Sequence, residues 1–320
     1  MRLTSRKTAF TYLAASLLAI SAPASGRQEE KLEPACTPQT TVENPTDSVT
    51  SRKEGPAQDS PQPEEKKKRG LFHSWLHMSA ETQPRQPDWL SPLATTSGRL
   101  KQEFRFDIGD QPSSGENRTY QFGGNKGLEF ITSSRTQLLL GVPSYTLVSP
   151  NGPPGGFGDL PLMLKFRIAS AERSEGNYLL TFMLGATAPT GSHRYGAGDA
   201  VLTPTVAFGK GWGRFDAQST FGANLPAGST SRLGRQLQWN TAFQYLAPWM
   251  LWPEFEVNST FYQTGPHAGD KQVFLTPGLG FGRVRIAGRF RFSSAAGIQI
   301  AATRFHTYDH RWMFSERISF

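Results

Sequence analysis

From Arg99 to Phe320, apolar and polar residues alternate in short segments separated by clusters of Gly, Pro, Asn and Asp. That is the pattern of half-buried strands punctuated by turns. Four segments alternate most clearly. Leu160, Leu162, Leu164, Phe166 and Ile168 oppose Pro161, Met163, Lys165 and Arg167. Leu237, Trp239, Thr241, Phe243 and Tyr245 oppose Gln236, Gln238, Asn240 and Gln244. Val284, Ile286, Phe290 and Phe292 oppose Arg285, Arg289, Arg291 and Ser293. Leu100, Phe104, Phe106 and Ile108 oppose Lys101, Glu103, Arg105 and Asp107. The pattern predicts about twelve strands, over 99–108, 118–133, 135–148, 159–170, 177–187, 199–209, 213–223, 235–246, 251–263, 271–282, 284–300 and 308–320.

The connections alternate too. Those at 109–117, 149–158, 188–198 and 224–234 are long, whereas those at 133–134, 209–212 and 246–250 are tight. Long loops on one side and short turns on the other predict an all-β outer-membrane barrel of about twelve antiparallel strands, with its tight turns in the periplasm. Trp212, Trp249 and Trp252 then fall at the periplasmic rim, where an aromatic girdle belongs. The final segment supports closure: Trp312, Phe314, Ile318 and Phe320 share one face, and Arg311, Met313, Arg317 and Ser319 the other. A last strand that pairs with the first leaves no edge. Phe314, Ile318 and Phe320 resemble the C-terminal signal read by the outer-membrane assembly machinery, although Glu316 interrupts the apolar face. A secreted β-sandwich also alternates. Strands of ten or more residues and the polarity of every second position favour the barrel.

The N-terminal third reads differently. Arg2, Arg6 and Lys7 precede an apolar stretch over 9–20 and then small residues, so residues 1–26 read as a secretory signal peptide. No later stretch approaches the ~20 apolar residues of a membrane helix. Residues 27–98 are rich in Pro, Gln, Glu, Ser, Thr and Lys and read as a disordered periplasmic linker before a barrel domain at 99–320. The mixed run 64–69 reads as solvated chain, with contact to anionic lipid or cell wall as its alternative. Leu71, Phe72, Trp75, Leu76 and Met78 have helical spacing. A helix on the membrane surface and a plug in the barrel are both open, and the reading taken is no stable structure. Cys36 is the only cysteine and lacks a lipobox, so it reads as an inert thiol.

Charge adds one feature. The chain is +8 overall. The linker is nearly balanced, so the excess lies in the barrel and is mostly Arg. Strand parity places Lys101, Arg105, Lys165, Arg167, Arg285, Arg289, Arg291, Arg311 and Arg317 on the inner face, with Glu103, Asp107, Glu254 and Glu256. Two outcomes follow. The charges form a constriction that biases passage toward anions, or they form salt-bridged ladders that fill a narrow lumen. Mean hydropathy of −0.45 suits a barrel, in which only alternate residues meet lipid.

Three stretches carry a family resemblance: Gly156-Phe157-Gly158-Asp159-Leu160 leading to Lys165-Phe166, Ala186-Thr187-Ala188-Pro189-Thr190-Gly191, and Phe274-Leu275-Thr276-Pro277-Gly278-Leu279 followed by Gly297. From about Trp89 to Phe320 the chain resembles a family of outer-membrane transporters named for the meta-cleavage (MetA) pathway of phenol degradation. The resemblance implies a barrel for small, aromatic or hydrophobic solutes.

Catalysis finds little support. Ser192 and His193 are adjacent and sit in a Gly-rich loop, so they do not form a nucleophile–base pair. His193, His267, His306, Asp199, Asp270 and Asp309 fall near external loops, where polar residues are expected. The sequence has no HExxH, no Cys/His metal spacing and no phosphate-binding loop. The expectation is therefore a non-enzymatic channel or transporter for small solutes, without cofactor, metal or nucleic acid. Its expected partners are membrane lipid, the assembly machinery and, through the linker, a periplasmic or cell-wall component. The alternative is a structural or docking barrel with a filled lumen and a partner-binding linker, and behind both stands an outer-membrane hydrolase.

Overall fold

A computed structural model describes residues 70–112 and 115–320. The stretch 1–26 read as a signal peptide, and residues 27–69 of the stretch read as a linker, with Cys36 and the charged run 64–69, lie outside the described residues. Within them, thirteen strands form one antiparallel sheet. They are β1 (Glu103–Pro112), β2 (Arg118–Ile131), β3 (Thr136–Ser149), β4 (Gly156–Phe157), β5 (Leu160–Ala171), β6 (Tyr178–Ala188) and β7 (Val201–Trp212). The rest are β8 (Phe215–Pro226), β9 (Gln236–Tyr245), β10 (Leu251–Tyr262), β11 (Lys271–Ala287), β12 (Phe290–Ala301) and β13 (His310–Ser319). β4 is a two-residue strip on the outer part of β3. The other twelve are staves, each paired with its neighbours, and β13 pairs with both β12 and β1 to close the ring. The predicted twelve-strand barrel is borne out.

Alternation explains the two faces. Leu162, Leu164, Phe166 and Ile168 on β5, Phe182 and Leu184 on β6, and Phe221, Trp239 and Phe243 further round are exposed on the outer wall. Such a contiguous apolar belt is costly in water and favourable in hydrocarbon. On β13, Trp312 and Ile318 join it, whereas Ser315 and Arg317 are buried on the inner face. Phe314 shares the outer parity, and the Phe320 N–H donates to the Gln102 carbonyl beyond the end of the strand at 3.0 Å.

Three details depart from the sequence reading. The β11–β12 turn lies at Gly288–Arg289, not near 283. Arg283, with φ of 71°, sits at a bulge instead, so the hairpin runs on and carries Arg285, Arg289 and Arg291 to its exposed tip. Trp252 points inward and is buried, whereas Trp212 and Trp249 remain on the exposed rim. Leu100 is fully buried rather than outward-facing, because the chain reaches the sheet only at Glu103.

The larger departure concerns the stretch up to 98. Residues Leu71–Thr82 form a helix, α1. The Trp75 Nε1 donates to the Ile131 carbonyl at 2.6 Å, and Arg167 Nη1 donates to the Thr82 carbonyl at 3.3 Å. Both contacts lie at the tight-turn end of the barrel, so the reading of 71–78 as unstructured is overturned. So is the linker boundary at 98. Residues 83–102 form a strap that enters the lumen from the tight-turn mouth, where Pro84, Arg85 and Asp88 stay exposed, and is mostly buried from Trp89 onward.

Candidate functional site

The strap has almost no regular secondary structure, and Pro84, Pro87 and Pro92 remove three of its N–H donors. Beyond Asp88 its backbone groups are mostly buried away from water and must find partners on the wall or within the strap itself, as where the Gln86 side chain bonds both the N–H and the carbonyl of Leu100. The inward-facing polar residues supply the partners on the wall. Arg317 donates to the carbonyls of Ser91 at 2.6 Å and Pro92 at 3.3 Å. Arg105 donates to those of Pro92 at 2.9 Å and Leu93 at 2.5 Å, while its Nε holds Asp107 at 2.7 Å. Across the strap, the Glu256 carboxylate accepts the N–H groups of Ala94 at 2.7 Å and Thr95 at 2.6 Å. The charge pattern is therefore directional: cations meet strap carbonyls and an anion meets strap amides.

The next stretch continues the rule. Lys165 Nζ donates to the Ser97 carbonyl at 3.1 Å, and Thr181 Oγ1 to the Gly98 carbonyl at 2.8 Å. Gln218 reaches the Leu90 carbonyl at 3.0 Å, and Gln244 donates to Glu254 at 2.7 Å beside it. Lys165 also pairs with Glu129 at 2.9 Å, Glu129 with Lys101 at 3.1 Å, and Lys101 with Glu103 at 2.5 Å. This is a buried chain of alternating charge, Lys165–Glu129–Lys101–Glu103.

The apolar side chains of the strap fit places where the wall is glycine. A Cβ at Gly297 would stand 2.7 Å from Leu93 Cδ2, and one at Gly209 would stand 2.7 Å from the Trp89 ring. Gly280 is similarly close to Leu90. Glycine within a strand often marks close approach of another segment. The converse holds at Gly98, where an added Cβ would lie 2.8 Å from Ala207 Cβ.

The strap divides the lumen. Leu90, Ser91 and Arg99 border a cavity of about 660 Å³ at the tight-turn end, beneath α1. Leu93 and Ala94 border a separate one of about 470 Å³ toward the long loops. Of the residues singled out in the sequence, Lys101, Arg105, Lys165, Arg167, Glu254, Glu256 and Arg317 are buried inside. Arg311 lies in the cavity toward the long loops, donating to Gln121 at 3.0 Å and Gln299 at 2.8 Å. Arg285 and Arg291 have the inward parity and Arg289 lies in the turn between them, and all three are exposed at the tight-turn mouth rather than in the lumen wall. Parity missed the strap itself. The available signal was the apolar cluster Trp89, Leu90 and Leu93 together with glycines inside strands that otherwise read as regular.

Limited proteolysis of the folded protein is expected to leave a core that retains Trp75 and the whole strap. A resistant fragment starting at 90–99 would show that α1 and the first turn of the strap are undocked.

Two of the motif stretches meet in space. Asp159 accepts the N–H groups of Gly191 at 2.8 Å and Ala197 at 2.7 Å, and the Leu160 N–H donates to Thr190 Oγ1 at 3.0 Å. They form one junction between the β3–β5 and β6–β7 loops. The third stretch lies elsewhere, on β11, where Pro277 and Gly278 back the wall at Gly297.

The chain matches no protein-family profile and no curated protein. Solved structures similar to it include an outer membrane channel from Pseudomonas putida F1, at 12% identity and a TM-score of 0.48, covering 72% of this chain and 100% of that one. The NanC porin is similar over 67% of this chain and 98% of its own, at 7% identity and a TM-score of 0.45.

Proposed function

We propose that the protein is an outer-membrane barrel that passes small solutes and whose lumen is held shut by its own strap. The observation that carries this reading is the pair of cavities on either side of residues 90–98, in a closed barrel with an apolar outer wall. The strap crosses the lumen as a single segment, so its displacement alone would join the two cavities into one path. On this reading the tight turns, α1 and the N-terminal linker face the periplasm, because short turns on that side are the rule for such barrels. Phe314, Ile318 and Phe320 serve the assembly machinery. The resemblance to the MetA-pathway transporters suggests aromatic or hydrophobic solutes, and the arginine-rich mouth suggests anionic ones. Neither catalysis nor a cofactor has a part in it.

A second reading has its own support. The strap is bonded along most of its length, which suits a structural or docking barrel with a permanently filled lumen. Planar-bilayer recording of the purified protein separates the two. Transport predicts brief openings, with a reversal potential in a salt gradient that favours anions. Replacing Arg289 and Arg291 with Gln should lower that preference without loss of folding. Absence of conductance at every voltage, also after the strap is loosened by substitution, would sink the transport reading.

A further inference from the structure

The β11–β12 hairpin carries an arrangement that the strap does not use. Arg285 and Arg291 stand directly opposite each other in the ladder, and Arg289 follows Gly288 in the turn between them. Like charges directly opposite across strands are destabilising. The nearby carboxylate of Asp88 is engaged by Arg283 and, at 3.7 Å, by Arg99. Among the described residues, none of Arg285, Arg289 and Arg291 has a carboxylate within salt-bridge distance. All three border the 660 Å³ cavity at the tight-turn mouth. Leu76 and Ala80 of α1, Pro84 and Phe320 border the same cavity. Its acidic members are Glu103, paired with Lys101, Asp88, paired as above, and Glu172. The mouth thus combines arginines left without a carboxylate partner and an apolar lining.

We propose that this mouth is a binding site for an organic carboxylate, with the anionic head clamped between Arg285 and Arg291 and the apolar body against α1. Guanidinium forks match a carboxylate bidentately. An anion between the two arginines turns their mutual repulsion into two attractions. Inorganic phosphate satisfies the forks but leaves the apolar lining unused. A phospholipid headgroup offers the same charge from the membrane. The proposal names the substrate class for the transport reading and rests on that reading only for the direction of travel, since binding at the mouth needs no open lumen.

The test is calorimetric titration of the full chain in a nonionic detergent. The probes are benzoate, benzyl alcohol, inorganic phosphate and micelles containing phosphatidylglycerol. Benzoate is expected to bind, and benzyl alcohol and phosphate at least tenfold more weakly. The R285Q/R291Q variant should lose at least tenfold in benzoate affinity, with R285K/R291K between it and the parent. Heat-modifiable migration checks that each variant is folded. Equal benzoate affinity in parent and R285Q/R291Q, or no benzoate binding, overturns the clamp. Tighter binding of phosphate or phosphatidylglycerol than of benzoate overturns the assignment to an organic carboxylate. Benzoate binding without conductance, also after the strap is loosened, would sink transport and leave the clamp standing, and conductance without benzoate binding would do the reverse.

Discussion

Glu256→Gln is expected to open the barrel. The carboxylate accepts two strap amides at 2.7 and 2.6 Å, and the side chain is fully buried. Hydrogen bonds to a charged group contribute about 1.5–3 kcal/mol each. Gln keeps one neutral acceptor and presents an amide N–H to a second donor, so the expected loss is about 2–3 kcal/mol of strap binding. At about 1.4 kcal/mol per tenfold, the strap-released population should rise roughly 30- to 150-fold. The readout is open probability in planar-bilayer recordings, with heat-modifiability as the check on folding. Gly98→Val is an independent lever, because it leaves every charge in place. Its Cβ would meet Ala207 Cβ at 2.8 Å and Thr181 Cβ at 3.3 Å, so the strap must shift. Both variants should raise conductance. If both fold and neither changes it, the strap is not the gate.

The barrel was legible because each stave obeys one local rule. Leu160 to Ile168 and Gln236 to Tyr245 face alternately out and in as their polarity alternates, and the turns between staves carry the expected Gly, Pro and Asn. Inward parity also located Arg105, Lys165, Glu254, Glu256 and Arg317. What those charges do was not legible, since their partners are backbone groups of a segment without periodicity. Trp89, Leu90 and Leu93 have no repeating face because the strap is surrounded by wall on all sides. The misplaced hairpin turn has a different cause. Gly282 beside Arg283 looks like a turn, yet Val284 and Arg285 continue the ladder past the bulge. A single residue of positive φ thus moved three arginines from the lumen wall to the mouth.

Removing Glu129 should cost the most stability of any single change in the lumen. Its carboxylate is 2% exposed and lies between Lys101 at 3.1 Å and Lys165 at 2.9 Å, with Gln137 also donating to it. Glu129→Gln leaves Lys101 with Glu103 but leaves Lys165 with only the carbonyls of Ser97 and Arg99. Breaking a buried ion pair by removing one partner costs about 3–5 kcal/mol, because the surviving charge remains buried and uncompensated. Replacing Glu129 with Leu and Lys165 with Met together removes both charges, and Lys101 keeps Glu103. The paired replacement is expected to cost less than half as much, because well-packed apolar pairs often substitute for buried ion pairs at little loss. The measurement is urea unfolding in lipid vesicles, with the midpoint compared at constant slope. The order expected is parent, then the double variant, then Glu129→Gln. A double variant as unstable as the single one would mean that the chain of charges acts through its hydrogen bonds to the strap. In that event Lys165 serves chiefly as a donor to Ser97, and Lys165→Met alone should cost as much as either.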